Sequence, residues 1–166
     1  WEKRTDRVDE EHSNGPFLRA YTRFNWYRPF GGWYANARVE AGQVFVHSRI
    51  AVPDTVLFRA GGDNSVRGYG YRTLGPTVNG VVVGGRVLAT GSIEFEHALT
   101  ARLPALFGAV FTDVGSAADQ WNELRPVVGV GVGLHYRSPV GPLRLDVAYG
   151  VHEDRFRLHL SVGVTF

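Results

Sequence analysis

The final twelve residues, RFRLHLSVGVTF, alternate between apolar and polar almost without exception, and this restricts what the chain can fold into. Phe156, Leu158, Leu160, Val162, Val164 and Phe166 fall on one parity, and Arg155, Arg157, His159, Ser161 and Thr165 on the other. A period of two sends neighbouring side chains to opposite faces of a β-strand, so the segment reads as a strand with one apolar face. The period recurs in PLRLDVAY, where Leu143, Leu145, Val147 and Tyr149 oppose Arg144, Asp146 and Ala148, and in VVGVGVGLHY, where valines, Leu134 and Tyr136 oppose glycines and His135. GGRVLATGSIEFEHAL sets Val87, Ala89, Ile93 and Phe95 against Thr90, Ser92, Glu94 and Glu96. Upstream, FLRAYTRFNWYR and WYANARVEAGQVFV repeat the pattern, with Arg19, Arg23, Arg38 and Glu40 on their polar parities. Residues 105 to 114 form a shorter strand of ambiguous facing, and residues 1 to 8 the weakest strand. This makes eight strands, several of them longer than the roughly 5–6 residues usual in soluble sheets.

The connections differ systematically. Links at 29 to 31, 100 to 104 and 138 to 140 are short, whereas those at 9 to 16, 47 to 83 and 115 to 124 are long; the short link at 150 to 154 breaks the rule. Long alternating strands with tight turns at one end and loops at the other predict an all-β, antiparallel, up-and-down transmembrane β-barrel. A soluble sandwich or lipocalin-like barrel would also alternate, its stripes facing a packed core. The charges on the polar parity, Arg19, Arg23, Arg38, Glu40, Glu94, Glu96, Arg144, Asp146 and Arg157, favour an ion-paired lumen.

Composition narrows the function. The 18 basic and 16 acidic residues nearly cancel, with no basic block, so no nucleic-acid partner is expected. All but one of the basic residues are arginine, whose planar guanidinium suits paired or buried ionic contacts. Cysteine is absent, which excludes disulfides and thiolate metal sites. No apolar run approaches the roughly 20 residues of a membrane helix, so neither a helical span nor a signal peptide is expected within these residues. The chain opens on Trp1 rather than methionine and is expected to be part of a longer protein.

The link at residues 47 to 83 far exceeds what a hairpin needs. Within it, RAGGDNSVRGYGYRTLGP (residues 59 to 76) holds five glycines and three arginines. Glycines at 61, 62, 68 and 70 permit left-handed or tight backbone, so Arg67 could be presented from a turn that folds back; a mobile surface loop is the alternative.

The runs GGDNSVRGYGY, LATGSIEFEH, AVFTDVG and SPVGPLRLDVAY, with the terminal phenylalanine, resemble the C-terminal barrel of the outer-membrane protein assembly and translocation superfamily (BamA/TamA type), most closely the TamA type. The resemblance is strong over residues 58 to 166 and weak over the first 50. It implies a bacterial outer-membrane location and a loop that re-enters the barrel. There the motif Val66, Arg67, Gly68 and Tyr69 is anchored by acidic partners at Glu94 and Asp113. HLSVGVTF resembles the terminal signal of outer-membrane barrels, with His159, Val164 and Phe166 at the matched positions and Ser161 where glycine is usual. The last strand is then expected to pair weakly with the first, leaving an edge for a client strand.

Barrels of that superfamily have sixteen strands, and an eight-stranded barrel has an interior little wider than its own side chains. The chain is therefore expected to be a C-terminal half within residues 1 to 166, lacking the N-terminal barrel half and periplasmic domains; a self-closed barrel with an external loop, or a homodimer, are the other arrangements. Expected partners are outer-membrane lipid and client outer-membrane or secreted proteins. No cofactor, metal or catalytic residue is expected. Neither a Gly-x-Ser-x-Gly elbow nor a His-Glu-x-x-His motif occurs, Ser92 and His97 face oppositely, and Glu94 and Glu96 stand near arginines that would pair with them. A structural or pore-forming barrel, a two-partner secretion transporter and a lipid-modifying enzyme are the alternative functions.

Overall fold

The computed structural model describes residues 15–47, 52–139 and 141–163. Seven long strands form one antiparallel sheet: β1 (Leu18–Phe30), β2 (Trp33–Phe45), β5 (Val87–Ala98), β6 (Leu106–Ala118), β7 (Val127–Ser138), β8 (Gly141–Gly150) and β9 (Arg155–Val162), in that spatial order. Each strand pairs with its neighbour in this series, so the topology is up-and-down. Among the described residues β1 and β9 do not pair, and the sheet is open. The strand expected at residues 1 to 8 lies outside the described residues.

Six of the strands have 10 to 13 residues, enough for the roughly 9–11 that a tilted strand needs to cross a bilayer. Apart from β1, which is exposed at every position, the strands bury polar and expose apolar residues, the inverse of a soluble protein. Val39, Ile93, Val110, Val130, Val132, Leu134, Leu145, Val147, Leu158 and Leu160 are exposed, while Glu40, Glu94, Glu96, Asp113, His135, Asp146 and His159 are buried. The apolar stripes thus face outward instead of packing against a second sheet, which excludes the soluble sandwich. The ambiguity of β6 also resolves: Phe107, Phe111 and Asp113 turn inward, and Val110 and Val114 outward.

β6 runs on to Ala118, beyond the expected end at 114, because Gly115, Ser116, Ala117 and Ala118 continue the ladder with Thr90 to Val87 on β5. Small residues are needed there. Ala117 lies in an apolar cluster with Val44, Phe58, Ala60 and Leu88, where the neck of the long loop packs on the inner wall.

That loop carries a hairpin that sequence reasoning passed over, β3 (Thr77–Val78) and β4 (Val81–Val82). Asn79 and Gly80 turn it with positive φ of 50° and 80°, the conformation that makes Asn-Gly a strong two-residue hairpin signal. The Gly31–Gly32 turn joins β1 to β2 in the same way, with φ of 52° and 85°.

Candidate functional site: the loop seat inside the barrel

The long loop lies on the inner face of the sheet. Its neck is zipped by reciprocal amide-to-carbonyl bonds of 2.8 Å between Phe58 and Gly85, and by a second pair between Ala60 and Leu74 of 2.8 and 3.0 Å. Beside the neck, Arg59 donates to both oxygens of Asp54 at 2.7 and 2.8 Å; this bond, together with the Gly84 amide, holds the Asp54 carboxyl below the usual carboxylate range. The chain reverses at Gly61 and Gly62 (φ 100° and 95°), where Ser65 N–H donates to the Gly62 carbonyl and Gly62 N–H to that of Val66. It then delivers Val66, Arg67, Gly68 and Tyr69, all buried, into the wall of the barrel.

Arg67 meets three carboxylates. Its Nε and backbone N–H donate to Asp113 Oδ2 at 2.7 and 3.0 Å, and Nη2 to Asp113 Oδ1 at 3.0 Å. Nη1 donates to Glu94 Oε2 at 2.7 Å and to Asp146 Oδ2 at 3.0 Å. Ser92 donates to Asp113 Oδ1 at 2.6 Å, and the guanidinium carbon sits 3.3 Å from the centre of the Phe111 ring. The fork geometry of arginine suits this constellation, which no ammonium could satisfy in the same way. Of the positions named from sequence, Arg67, Glu94 and Asp113 are in direct contact; Asp146 is a third carboxylate that sequence reasoning placed on the polar face without assigning it to the arginine.

The charges continue beyond Arg67. Asp146 Oδ1 lies 2.8 Å from His135 Nε2, His135 Nδ1 lies 2.7 Å from Glu96 Oε1, and Arg137 donates to Glu96 Oε2 at 2.8 Å. Arg144 approaches Glu94 at 3.6 Å. Since both ring nitrogens of His135 face carboxylate oxygens, both must donate, and the ring is an imidazolium. Four carboxylates (Glu94, Glu96, Asp113, Asp146) are thereby balanced by Arg67, Arg137, Arg144 and His135. Glu94, Glu96 and His135 converge closely enough to resemble a cation site, but their donor atoms are engaged by these ion pairs.

The inner face of β7 explains why VGVGVG is written with glycines. A side chain at Gly129 would strike the Arg67 carbonyl, one at Gly131 the Phe111 ring, and one at Gly133 the Asp146 carboxylate. The space at Gly129 admits the motif itself, and those at Gly131 and Gly133 admit the Phe111 ring and the Asp146 carboxylate that contact Arg67. The signal was present in the sequence as alternate glycines on one parity, yet it names no occupant. Gly68 (φ 92°) completes the fit, because a Cβ there would stand 2.8 Å from Gly150 N. Tyr69, 1% exposed, accepts from His152 N–H and donates to the Val128 carbonyl, both at 3.0 Å.

The terminal-signal positions separate. His159 on β9 is buried against the loop, its Nε2 accepting from Gly68 N–H at 3.0 Å and its Nδ1 paired with Asp63. Val164 and Phe166 lie outside the described residues.

Comparison with known proteins gives this geometry a lineage. Residues 9–166 match the Omp85 superfamily domain. The chain is 35% identical over 119 residues to outer envelope protein 80 of the Arabidopsis thaliana chloroplast, covering 64% of this chain and 14% of that protein. It is 28% identical over 147 residues to the outer membrane protein assembly factor BamA of Nitratidesulfovibrio vulgaris, covering 84% of this chain and 18% of the relative. The crystal structure of Haemophilus ducreyi BamA lacking POTRA domains 1–3 superimposes on 88% of this chain and 34% of its own, with a TM-score of 0.71 at 19% identity. The chain thus spans less than a fifth of the length of these curated relatives. These matches hold at the level of the superfamily, without singling out the TamA type. With an outward-facing apolar sheet, an inner ionic seat and a domain match over nearly its whole length, the chain belongs to the Omp85 superfamily of outer-membrane barrel proteins.

Proposed function

We propose that this chain is the C-terminal barrel segment of an outer-membrane protein assembly or translocation factor, completed by strands and periplasmic domains that precede it in the parent protein. The observation that carries the reading is the Arg67 seat: a loop built into the wall by three buried carboxylates, inside a sheet whose two outer strands each leave one edge unpaired among the described residues. An unpaired strand edge offers main-chain donors and acceptors to an incoming strand, so a client barrel or secreted protein would engage by β-augmentation at β9, the preceding strands of the parent covering β1. The docked loop would keep the wall beside that edge in one shape. A pore-forming role has less support, since the loop occupies the lumen that a steady channel would need. Among the described residues no nucleophile, base and oxyanion constellation supports turnover: Ser92 donates to Asp113, and His97 lies against Trp33.

The test is reconstitution of the parent protein in liposomes with an unfolded outer-membrane client. Wild-type protein is expected to accelerate client folding and to form disulfides between cysteines placed on β9 and on the client's terminal strand. Steady single-channel conductance with neither acceleration nor cross-linking would overturn the proposal in favour of a pore.

A further inference from the structure

We propose that His159 is the positioning residue that couples the docked loop to the edge strand β9, so that undocking the loop releases the β8–β9 hairpin. Its place in the terminal strand gives it a reading as an insertion signal only, and that leaves its burial and its two partners unexplained.

The geometry specifies its chemistry. Gly68 N–H points at Nε2 from 3.0 Å, so Nε2 carries no proton and accepts; the proton sits on Nδ1 and is donated to Asp63. His159 is therefore neutral in one defined tautomer, the reverse of the doubly donating His135. Both partners of the ring belong to the loop, on either side of Arg67, while the ring itself belongs to β9. Across the ladder His159 stands opposite Asp146, the carboxylate that bonds Arg67 Nη1. The hairpin is held at two further points: Tyr69 takes the His152 amide in the β8–β9 turn, and Gly68 lies against the Tyr149–Gly150 backbone at the end of β8.

These contacts matter because β9 is paired on one side only among the described residues, through eight register positions with β8. An edge strand held by one ladder frays easily, and a buried bond from a histidine to a folded loop is comparable to what holds its end. The loop thereby sets how firmly the edge is closed. This inference rests on contacts rather than on any client, and its readouts contain none, so it stands or falls separately from the assembly role.

The experiment uses the full parent protein in nanodiscs and reads three quantities. Nitrogen-15 spectra of the unmodified protein should show His159 protonated at Nδ1 and bare at Nε2 near neutral pH; the opposite tautomer would overturn the assignment. Asp63→Ala, a change in the loop alone, should speed exchange of the β9 amides that pair with β8 by roughly tenfold, the scale of one lost charged hydrogen bond. Unchanged β9 exchange in a variant whose loop is cut faster by trypsin after Arg59 or Arg72 would show undocking without release of the strand, and would sink the proposal. His159→Leu should expose both loop and strand, whereas His159→Gln, whose amide can accept from Gly68 and donate to Asp63, should restore most of the protection. Equal damage from the two substitutions would also overturn it.

Discussion

Arg67 carries more structural consequence than any other side chain in the described residues, because three acids are buried around it. Arg67→Ala would leave Glu94, Asp113 and Asp146 facing one another without the guanidinium that bonds all three, with His135, Arg144 and Arg38 as the neighbouring cations. Breaking a buried ion pair from one side costs about 3–5 kcal/mol. The expected outcome is a released loop: trypsin should cleave at Arg59 and Arg72 in the folded protein at least tenfold faster than in wild type. Arg67→Lys should recover little of the protection, since an ammonium cannot span Asp113, Glu94 and Asp146 together. Wild-type resistance in Arg67→Ala would remove the anchoring role. The sequence singled out Arg67 through the glycines that surround it, and family resemblance supplied Glu94 and Asp113. Asp146 was legible only as one more acid on the polar parity, because its approach to Arg67 depends on the curvature that brings β8 towards β5.

Among the elements, β7 is the most specialised. Its outer parity is valine, Leu134 and Tyr136, and its inner parity is Gly129, Gly131, Gly133 and His135. The space left at Gly129 takes the loop backbone at Arg67, and those at Gly131 and Gly133 take Phe111 and Asp146. Gly129→Ala should push the Arg67 carbonyl away and weaken docking by about 1–3 kcal/mol, the usual cost of overpacking. Gly91→Ala on β5 is the matched control, since a Cβ there would meet nothing nearer than 3.5 Å. Faster loop cleavage in the first variant and none in the second is the expected result; equal behaviour would mean that the space at Gly129 does not hold the loop. Period-two reading recovered the strands themselves because one face of each meets a single environment. It missed the Thr77–Val82 hairpin, although Asn79-Gly80 marks it, and it ended β6 too early because small residues carry little facing information.

At the scale of the whole molecule, the sheet is an interior turned outward, with lipid as the solvent for its apolar face. Arginine at the position of Val132, midway along β7 on that face, should destabilise the inserted protein by about 2–4 kcal/mol at the membrane midplane, read as a lowered denaturant midpoint in vesicles. Arginine at the position of Gly133, which points inward, should disturb the Asp146–His135 contacts instead and act chiefly on loop protection. The buried ionic seat should also be indifferent to salt: raising ionic strength from about 0.1 to about 1 M screens exposed charges strongly but buried ones little. Loop cleavage rates that rise steeply with salt would show that water reaches the network.

The sequence by itself determined the long strands, the faces of all but β6 and the barrel class, since alternation is a local property that any sheet between two environments imposes. It also singled out Arg67 within the glycine-rich link, with a mobile loop as the alternative. Only the tertiary structure decided which residues hold that arginine, why β7 lacks side chains on one face, and that His159 binds the loop. The contacts of Arg67 with its carboxylates and of His159 with the loop join positions 27 to 96 residues apart, and the spacing along a chain carries no record of which distant strands curvature will bring together.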